Sequence, residues 1–347
     1  MKTKKKIMKT KNEGTARMPR LVSGESGFGM EKRSGNETEK SQEAHQTGCK
    51  QLEKATDNIK ARYRRKGLAK SSTEQDSWPP FHAKSFTNLA LVHKKISQLQ
   101  VKENTTMAAR IRTKGNIHKM HELTSSIKLE NIHQMFTPIT SEDQCPMRIL
   151  IEGQPGIGKT TLAKEICLQW ASNKLLMSDK LLLLLILRDP ILQKIISTEE
   201  LVKYTLPADQ EQPVLSYLRN VNGTGVTFII DGFDELSNEL PHTSLFRKLI
   251  EGDILPNARI VVTSRPSASA CLHQYVDRRI EVLGFEQSSK EQYIEESLKN
   301  CPSKLQMLKR HFQLYPNIDA MCYIPLSIAI IVYSVPVSSR LPATNCY

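Results

Sequence analysis

Near-continuous apolar runs recur along the second half of the chain, and helical patterns separate them. The runs are MRILIE (147–152), LLLLLILR (181–188), VTFIID (226–231), RIVVTS (259–264) and RRIEVLGF (278–285). Strands this apolar are typical of a parallel sheet that is buried on both faces. The pattern therefore predicts an α/β fold in which five parallel strands are flanked by helices.

The segments on either side of these strands have different patterns. SSKEQYIEESLKN, CPSKLQMLKRHF and IPLSIAIIVYSV follow the last run and predict a small helical region. Residues 1–60 are rich in polar and charged residues and contain one aromatic, Phe28. A segment this polar buries too little apolar surface to fold, so we expect disorder there. IKLENIHQMF (127–136) predicts a helix that leads into the main domain.

Charge is distributed unevenly between the two halves of the chain. The total is 49 Lys+Arg against 36 Asp+Glu, a net charge of +13. Residues 1–145 hold 28 basic and 15 acidic side chains, whereas residues 146–347 hold 21 of each. The run Lys4–Lys6 and the cluster of Arg62, Arg64, Arg65 and Lys66 leave nucleic-acid binding open through this arm alone. A solvated basic tail is the alternative.

Cysteines and apolar runs exclude several classes of protein. The seven cysteines are widely spaced and contain no CxxC pair, which argues against a disulfide scaffold or a zinc knuckle. The longest apolar run, Leu181–Leu187, is far shorter than the roughly 20 residues that cross a bilayer. No apolar stretch follows the basic N-terminus, so it does not resemble a secretory signal. We expect a soluble, cytoplasmic protein without a membrane partner.

The strongest motif follows the first predicted strand. GQPGIGKT (153–160) matches G-x-x-x-x-G-K-[ST] and opens a predicted helix, which is the context of a phosphate-binding loop. Its glycines let successive backbone N–H groups point at phosphates. Lys159 is expected to reach the β- and γ-phosphates, and the Thr160 hydroxyl to bind Mg²⁺. The predicted nucleotide-binding residues are Gly153, Gln154, Pro155, Gly156, Ile157, Gly158, Lys159, Thr160 and Thr161.

Two further strand ends carry candidate chemistry. FIIDGFDEL (228–236) ends a strand at Asp231, which is suited to hold Mg²⁺ with Thr160. Asp234 or Glu235 is suited to orient the attacking water, and helix capping is the alternative role of either acid. VVTSRP places Arg265 at the carboxyl edge of the sheet, where it can read the γ-phosphate.

Together these motifs resemble the NACHT family of signal-transducing NTPases, the central module of NOD-like receptors. The matching segments are GQPGIGKTTL, ILIE before it, LLLLLILRD, FIIDGFDEL, VVTSRP, GFEQSSKEQYIEESL and YIPLSIAI, with WPPFHAKSFTNLAL similar to a pre-NACHT segment. The resemblance implies the strand order 5-1-4-3-2, ATP or ADP with Mg²⁺, slow hydrolysis and nucleotide-dependent self-association. It also implies that Pro325 packs on adenine.

Composition and the resemblance together indicate a domain plan, and the resemblance implies a role. We expect a disordered basic arm (1–77), a helical pre-NACHT linker (78–146), the nucleotide-binding domain (147–285) and a partial first helical domain (286–347). The chain stops at Tyr347, before the winged-helix and repeat regions that the family usually has, so a fragment or a short receptor-like protein is expected. The implied function is an oligomerisation switch in intracellular, innate-immune-type signalling, with a signalling adaptor of unknown identity as partner.

Other classes of phosphate-loop protein fit less well. A GTPase needs an N-K-x-D guanine reader, but Asn173-Lys174 is followed by Leu175-Leu176. The LSGGQ-like signature of ABC-type ATPases is also missing from the sequence. A nucleoside or small-molecule kinase stays open, as does an adaptor that holds its nucleotide without hydrolysing it.

Overall fold

The computed structural model describes residues 35–66, 86–94, 126–141, 143–175, 179–236 and 244–334, with side chains of the first range described from Lys50 onwards. Contacts divide the chain into a unit of residues 1–45 and a unit of residues 46–347. In the first unit the structure describes the helical backbone of 35–45. The predictions for Lys4–Lys6 and for residues 335–347 lie outside the described residues.

Within the described ranges, seven strands form one sheet. They are β1 (Leu89–Lys94), β2 (Ser126–Leu129), β3 (Arg148–Glu152), β4 (Leu181–Ile186), β5 (Val226–Asp231), β6 (Arg259–Ser264) and β7 (Arg278–Phe285), in the order β2-β1-β7-β3-β6-β5-β4. The five strands from β7 to β4 are parallel, and their order is the expected 5-1-4-3-2. The α/β fold is confirmed. The predicted strand count was too low, because β1 and β2 add antiparallel pairs beside β7.

The helix predicted over 127–136 was wrong. Ile127 and Leu129 lie two positions apart in β2, which is the period of a strand, and β2 pairs with β1. A 3₁₀ turn, Ile132–Met135, follows, and the Asn131 side chain accepts a hydrogen bond from the Gln134 backbone N–H at its start. Ile132 and Met135 are buried, so four apolar positions serve a strand and a turn rather than one helix face.

Among the described helices, the first precedes the sheet and the others connect or follow its strands. They are α1 (Gly35–Lys66), α2 (Lys159–Ala171), α3 (Pro190–Gln193), α4 (Thr198–Thr205), α5 (Ala208–Asn220), α6 (Leu245–Glu251), α7 (Pro266–Ser269), α8 (Gln287–Ser297), α9 (Pro302–Leu314), α10 (Pro316–Met321) and α11 (Pro325–Ser334), with 3₁₀ turns at Phe233–Glu235 and Ala270–Tyr275. None of the helices that the structure describes is long and apolar enough to cross a bilayer.

Buried apolar side chains form two clusters in the described part of the chain. The larger one fills the space around the sheet and includes the strand residues Ile149 to Ile151 and Leu181 to Leu183. The smaller one is built by α8, α9 and α11 with Phe285 of β7, and it contains Tyr293, Ile294, Leu308 and Ile328. The helical region after β7 therefore has a small core of its own.

The disorder predicted for residues 1–77 was wrong over the part that the structure describes. Residues 35–66 form α1, and Leu52, Ala55 and Ile59 of this helix are buried in the larger core. Their spacing of three and four residues gives α1 a narrow apolar stripe. The polar composition of the arm concealed this stripe, because three buried residues change the average hydropathy very little.

α1 is attached to the main domain by three of its side chains, those of Arg62, Tyr63 and Arg64. Arg62 donates to the Thr205 carbonyl at 2.9 Å and Arg64 to the Ala171 carbonyl at 2.8 Å. These carbonyls belong to the last residues of α4 and α2, where positive charge is favoured by the helix dipole. The basic cluster suggested for nucleic-acid binding thus commits two of its arginines to helix ends within the protein.

Candidate nucleotide site

The loop between β3 and α2 has the geometry of a phosphate cradle. Gly156 and Gly158 adopt φ of +73° and +101°, a left-handed region that side chains with a β-carbon rarely occupy. α2 begins at Lys159, directly after these turns. The Lys159 amine folds back over the loop and donates to the Gly153 carbonyl at 2.7 Å and the Gln154 carbonyl at 3.2 Å. The ammonium group therefore lies at the centre of the loop.

The charge balance of Lys159 suits an anionic ligand. Burial lowers the pKa of its amine, and the nearby carboxylates of Asp234 and Asp231 offset this only in part. A lysine in this position is stabilised when further negative charge is brought close to it. Phosphate oxygens supply that charge, so the loop, the lysine and the N-terminus of α2 together form an anion site.

Asp231 ends β5 and is almost fully buried beside the loop. The Thr263 hydroxyl donates to its carboxylate at 2.6 Å and accepts a hydrogen bond from the Gly232 backbone N–H at 2.9 Å. Burial raises the pKa of Asp231; hydrogen bonds from Thr263 and Thr160 and the charge of Lys159 oppose this effect but do not outweigh it. A buried carboxylate that lacks full charge compensation is a favourable ligand for a cation.

The two predicted metal ligands lie together. The Thr160 hydroxyl is a hydrogen-bond partner of the Asp231 carboxylate, so both oxygens face one position at the start of α2. A threonine hydroxyl and a strand-end carboxylate form the usual protein part of a Mg²⁺ site in phosphate-loop NTPases. The donor chemistry of these residues fits Mg²⁺, which takes oxygen ligands and keeps several waters.

The two distal acids have different partners. Asp234 binds Arg265, accepting from its side-chain Nε at 2.7 Å and from its backbone N–H at 3.2 Å. Glu235 forms an ion pair with Arg188 at 3.3 Å, and the Arg188 side chain is 77% exposed. Asp234 therefore lies inside the site, beside the predicted γ-phosphate reader, whereas Glu235 lies at its rim.

The start of α11 contacts the phosphate loop directly. The Leu326 backbone N–H donates to the Gly156 carbonyl at 3.1 Å. A β-carbon at Gly156 would lie 2.8 Å from the Leu326 β-carbon, which shows how closely the two segments approach. Pro325 is buried, and its ring lies near Gly158 together with Leu89 of β1. The structure thus places Pro325 beside the phosphate loop, and its packing on adenine stays a prediction.

Three residues of this site were not predicted as site residues. Leu326 follows Pro325 in the quoted segment YIPLSIAI, so its position was available from the same motif. Leu89 lies in a strand that the sequence did not predict. Glu152 ends β3 with a carboxylate that is 2% exposed, and a charged residue at the end of an apolar run is the signal that points to it.

Comparison with known proteins identifies the family of this fold. Residues 147–301 match the model of the NACHT domain. The mouse (Mus musculus) protein "NACHT, LRR and PYD domains-containing protein 3" is 30% identical over 260 residues, which cover 68% of this chain and 24% of that protein. Human (Homo sapiens) "NACHT, LRR and PYD domains-containing protein 12" is 26% identical over 260 residues, covering 70% of this chain and 24% of that protein.

A third relative matches a shorter part of the chain. Human (Homo sapiens) "Protein NLRC5" is 29% identical over 195 residues, 54% of this chain and 10% of that protein. The chain thus spans about a quarter, or less, of the length of these curated relatives. The match to the NACHT model includes the phosphate loop and the strands from β3 to β7.

Proposed function

Because this chain belongs to the NACHT family of P-loop NTPases, we propose that it binds ATP or ADP with Mg²⁺ and changes its self-association with the nucleotide state. The phosphate loop from Gly153 to Thr161 holds the phosphates, with Lys159 at the β- and γ-phosphates. Thr160 and Asp231 hold the metal ion, which neutralises charge on the phosphate oxygens. The buried, partly uncompensated Asp231 supports this role.

Arg265 is the group that distinguishes ATP from ADP in this proposal. Its side chain is 47% exposed and pairs with Asp234, so it is held beside the loop and can exchange its partner for a γ-phosphate. A guanidinium group suits a phosphate because its N–H groups match the spacing of two oxygens. Asp234, once released, is the carboxylate placed to orient the attacking water.

The observation that supports a switch is the hydrogen bond from Leu326 to Gly156. It joins the first turn of α11 to the backbone that wraps the phosphates. When the loop adjusts to a nucleotide, the Gly156 carbonyl moves, and the helical region with its separate core moves as a body. Pro325 and Leu89 border the same loop and would close over the base. This region would then present a different surface for self-association.

A second function is favoured by the partners of the distal acids. Asp234 and Glu235 are both engaged by arginines, and a carboxylate held in an ion pair is a weak general base. A protein that holds its nucleotide without turnover would have this arrangement. Such a protein would act as a nucleotide-stabilised adaptor rather than as an ATPase.

The relatives extend the proposal to a biological role. The names of two of them describe proteins that contain NACHT, LRR and PYD domains. We assign this chain to innate-immune-type signalling in the cytoplasm, with a signalling adaptor as partner. The biological role is part of our proposal, because the chain spans only part of the length of those proteins.

Nucleotide binding and oligomeric state test the proposal together. Purified chain, Lys159→Ala and Asp231→Ala are each titrated with ATP and ADP in Mg²⁺, and their mass is measured by light scattering with ADP, a non-hydrolysable ATP analogue or no nucleotide. We expect Lys159→Ala to lose binding and the unaltered chain to change mass with nucleotide. Ile330→Ala, a substitution on the outward side of α11, is the control.

Each outcome separates the alternatives. Binding with turnover supports the ATPase, and binding without turnover supports the adaptor. A mass that stays identical in all three nucleotide states would contradict the switch. Nucleotide affinity that Lys159→Ala leaves unchanged would contradict the assignment of the site itself.

A further inference from the structure

Glu152 is a buried carboxylate directly before the start of the phosphate loop. It is the last residue of β3 and precedes Gly153, and it is 2% exposed. The three residues that precede it in the strand, Ile149 to Ile151, are apolar and fully buried. A carboxylate in such surroundings costs free energy unless it is hydrogen-bonded and paired, so its partners determine why it is there.

The partners of Glu152 come from three elements: α7, the 3₁₀ turn that follows it, and β7. Ser269 donates its hydroxyl to Oε1, and His273 Nε2 lies 3.0 Å from the same oxygen. Arg279 of β7 donates to Oε2 from Nη2 at 3.0 Å and from Nε at 3.3 Å. Ser269 and His273 both belong to the segment that follows Arg265. Glu152 therefore joins the phosphate loop to the segment that carries the arginine.

These contacts keep Glu152 ionised. Burial by itself would raise the pKa of its carboxyl group. The hydrogen bond from Ser269 and the charge of Arg279 outweigh burial, and the pKa is lowered. The carboxylate is therefore a permanent acceptor for its three partners at neutral pH.

The segment after Arg265 is held at two points. Arg265 itself is bound by Asp234 through its side chain and its backbone N–H. Four residues later, at the end of the short helix α7, Ser269 is bound by Glu152. Arg265 keeps half of its side chain exposed, while the second anchor is fully buried. The arginine can thus reach a ligand without its backbone moving.

We propose that Glu152 is a positioning residue for Arg265, fixing the arginine at the distance from the phosphate loop at which it contacts a γ-phosphate. This inference rests on the proposed function, in which Arg265 distinguishes ATP from ADP. Because Glu152 adjoins Gly153, its contact with Ser269 also ties any shift of the loop to the arginine. Loss of the Glu152 charge would loosen α7 and the 3₁₀ turn after it.

A purely structural role makes a different prediction. If Glu152 only satisfies buried donors, its substitution lowers stability and weakens ATP and ADP binding equally. A positioning role lowers the affinity for ATP more than that for ADP, and it does so through Arg265. The ratio of the two affinities, measured with and without Arg265, separates the two roles.

The test uses Glu152→Gln, Arg265→Ala and the double variant of the full chain. Dissociation constants for a non-hydrolysable ATP analogue and for ADP are measured with Mg²⁺ by calorimetry. We expect Glu152→Gln to lower the preference for the ATP analogue about five- to tenfold, and Arg265→Ala to lower it at least as much. In the double variant the preference should be no lower than in Arg265→Ala alone.

Two further variants make the result decisive. Glu251→Gln removes another carboxylate with a 14% exposed side chain, from its ion pair with Arg247 on α6, and should leave the preference unchanged. His273→Ala removes one partner of Glu152 at a site that is 32% exposed, and it gives the same test if Glu152→Gln fails to fold.

The outcomes distinguish this inference from the proposed function. If Arg265→Ala lowers the preference and neither Glu152→Gln nor His273→Ala does, the positioning role is wrong and the nucleotide site stands. Equal effects of Glu152→Gln with and without Arg265 would also overturn it. If Arg265→Ala itself has no effect, the arginine's role in the proposed function fails, and the positioning role fails with it.

Discussion

Asp234 holds Arg265 by two atoms, accepting from the backbone N–H at 3.2 Å and from the side-chain Nε at 2.7 Å. Both residues adjoin strands of the parallel sheet, β5 and β6, which are neighbours. The Asp234 carboxylate and a γ-phosphate both have oxygen atoms that can accept hydrogen bonds from the Arg265 guanidinium group. The pair is therefore a site of competition between the protein and its proposed ligand.

Neutralising Asp234 should strengthen ATP binding relative to ADP. In Asp234→Asn the amide oxygen still accepts from the Arg265 backbone, but the charge that competes for the side chain is gone. The pair is partly exposed, so we expect a change of about two- to fivefold, equivalent to about 0.5–1 kcal/mol. Calorimetry with ADP and a non-hydrolysable analogue measures it. Glu235→Gln should leave the ratio unchanged, and a ratio that falls in Asp234→Asn would contradict the competition.

The pKa of Asp231 predicts how stability depends on pH. Burial raises this pKa, so the folded protein disfavours the ionised carboxylate. The contribution of the protonated Asp231 to stability is therefore lost as pH rises through its pKa in the folded protein. Asp231→Asn should raise the melting temperature of nucleotide-free protein near neutral pH. The difference should shrink as the pH falls toward the ordinary pKa of aspartate, about 4. Thermal melts across this range measure it.

A second aspartate provides a control of opposite sign. The hydrogen bond from Tyr204 lowers the pKa of Asp189, which also accepts from the Ile191 backbone N–H at the start of α3. Its stability contribution is present at neutral pH and lost in acid, so Asp189→Asn should lower the melting temperature near neutral pH.

Asp231→Asn should also abolish stabilisation by Mg²⁺ with nucleotide. Unchanged Mg²⁺ stabilisation would remove Asp231 from the proposed metal site.

The parallel sheet and the phosphate loop could be predicted because their signals are local. Each of the five parallel strands is an apolar run, and β5, β6 and β7 have the predicted bounds. The loop motif carries its own backbone requirements in its glycines. Asp231 and Arg265 followed from the rule that the ends of parallel strands meet at one edge. In these cases the prediction depends only on a few adjacent residues.

The remaining features depend on contacts between distant residues. β1 has only three buried side chains, Ala90, Leu91 and Val92, and becomes a strand by pairing with β7 and β2. Glu152 finds its partners 117 to 127 positions away, so nothing near it in the sequence names them. α1 shows the same limit, since its apolar stripe is narrow and its arginines bind carbonyls more than a hundred positions distant.

The Tyr63 hydroxyl protects the free edge of the sheet. It accepts from the Leu184 backbone N–H at 3.0 Å and donates to the Leu182 carbonyl at 3.3 Å, and both residues belong to β4. β4 is the last strand of the sheet among the described residues, and unpaired edge strands invite pairing with another chain. A single hydroxyl from α1 therefore occupies two backbone groups of a very apolar strand.

Tyr63→Phe should weaken this edge without disturbing the packing of the ring. We expect a loss of about 1–2 kcal/mol in the free energy of unfolding, because two backbone groups lose their partner. Hydrogen exchange should become faster at Leu184, and self-association should increase independently of nucleotide. Tyr217→Phe, which removes a hydroxyl from the loop carbonyl of Thr224, is the control. Unchanged exchange at Leu184 would show that the hydroxyl does not protect the strand.

The contact between Leu326 and the phosphate loop should carry the coupling between nucleotide and helical region. Leu326→Ala keeps the backbone hydrogen bond to Gly156 but removes the side chain that packs against it. We expect nucleotide affinity to fall about three- to tenfold, the range of a coupling of roughly 1 kcal/mol. Exchange in α11 should also become insensitive to nucleotide.

Ile330 provides a matched comparison for this variant. It lies on the same helix and is 37% exposed, as is Leu326, so Ile330→Ala removes the same kind of side chain from an equally exposed position. Both variants should lose similar stability, because both shorten a half-exposed aliphatic side chain in one helix. Only Leu326→Ala should change nucleotide affinity and the nucleotide response of exchange in α11. Equal behaviour of the two variants would show that the Leu326 side chain does not carry the coupling and that the helical region senses the nucleotide through other contacts.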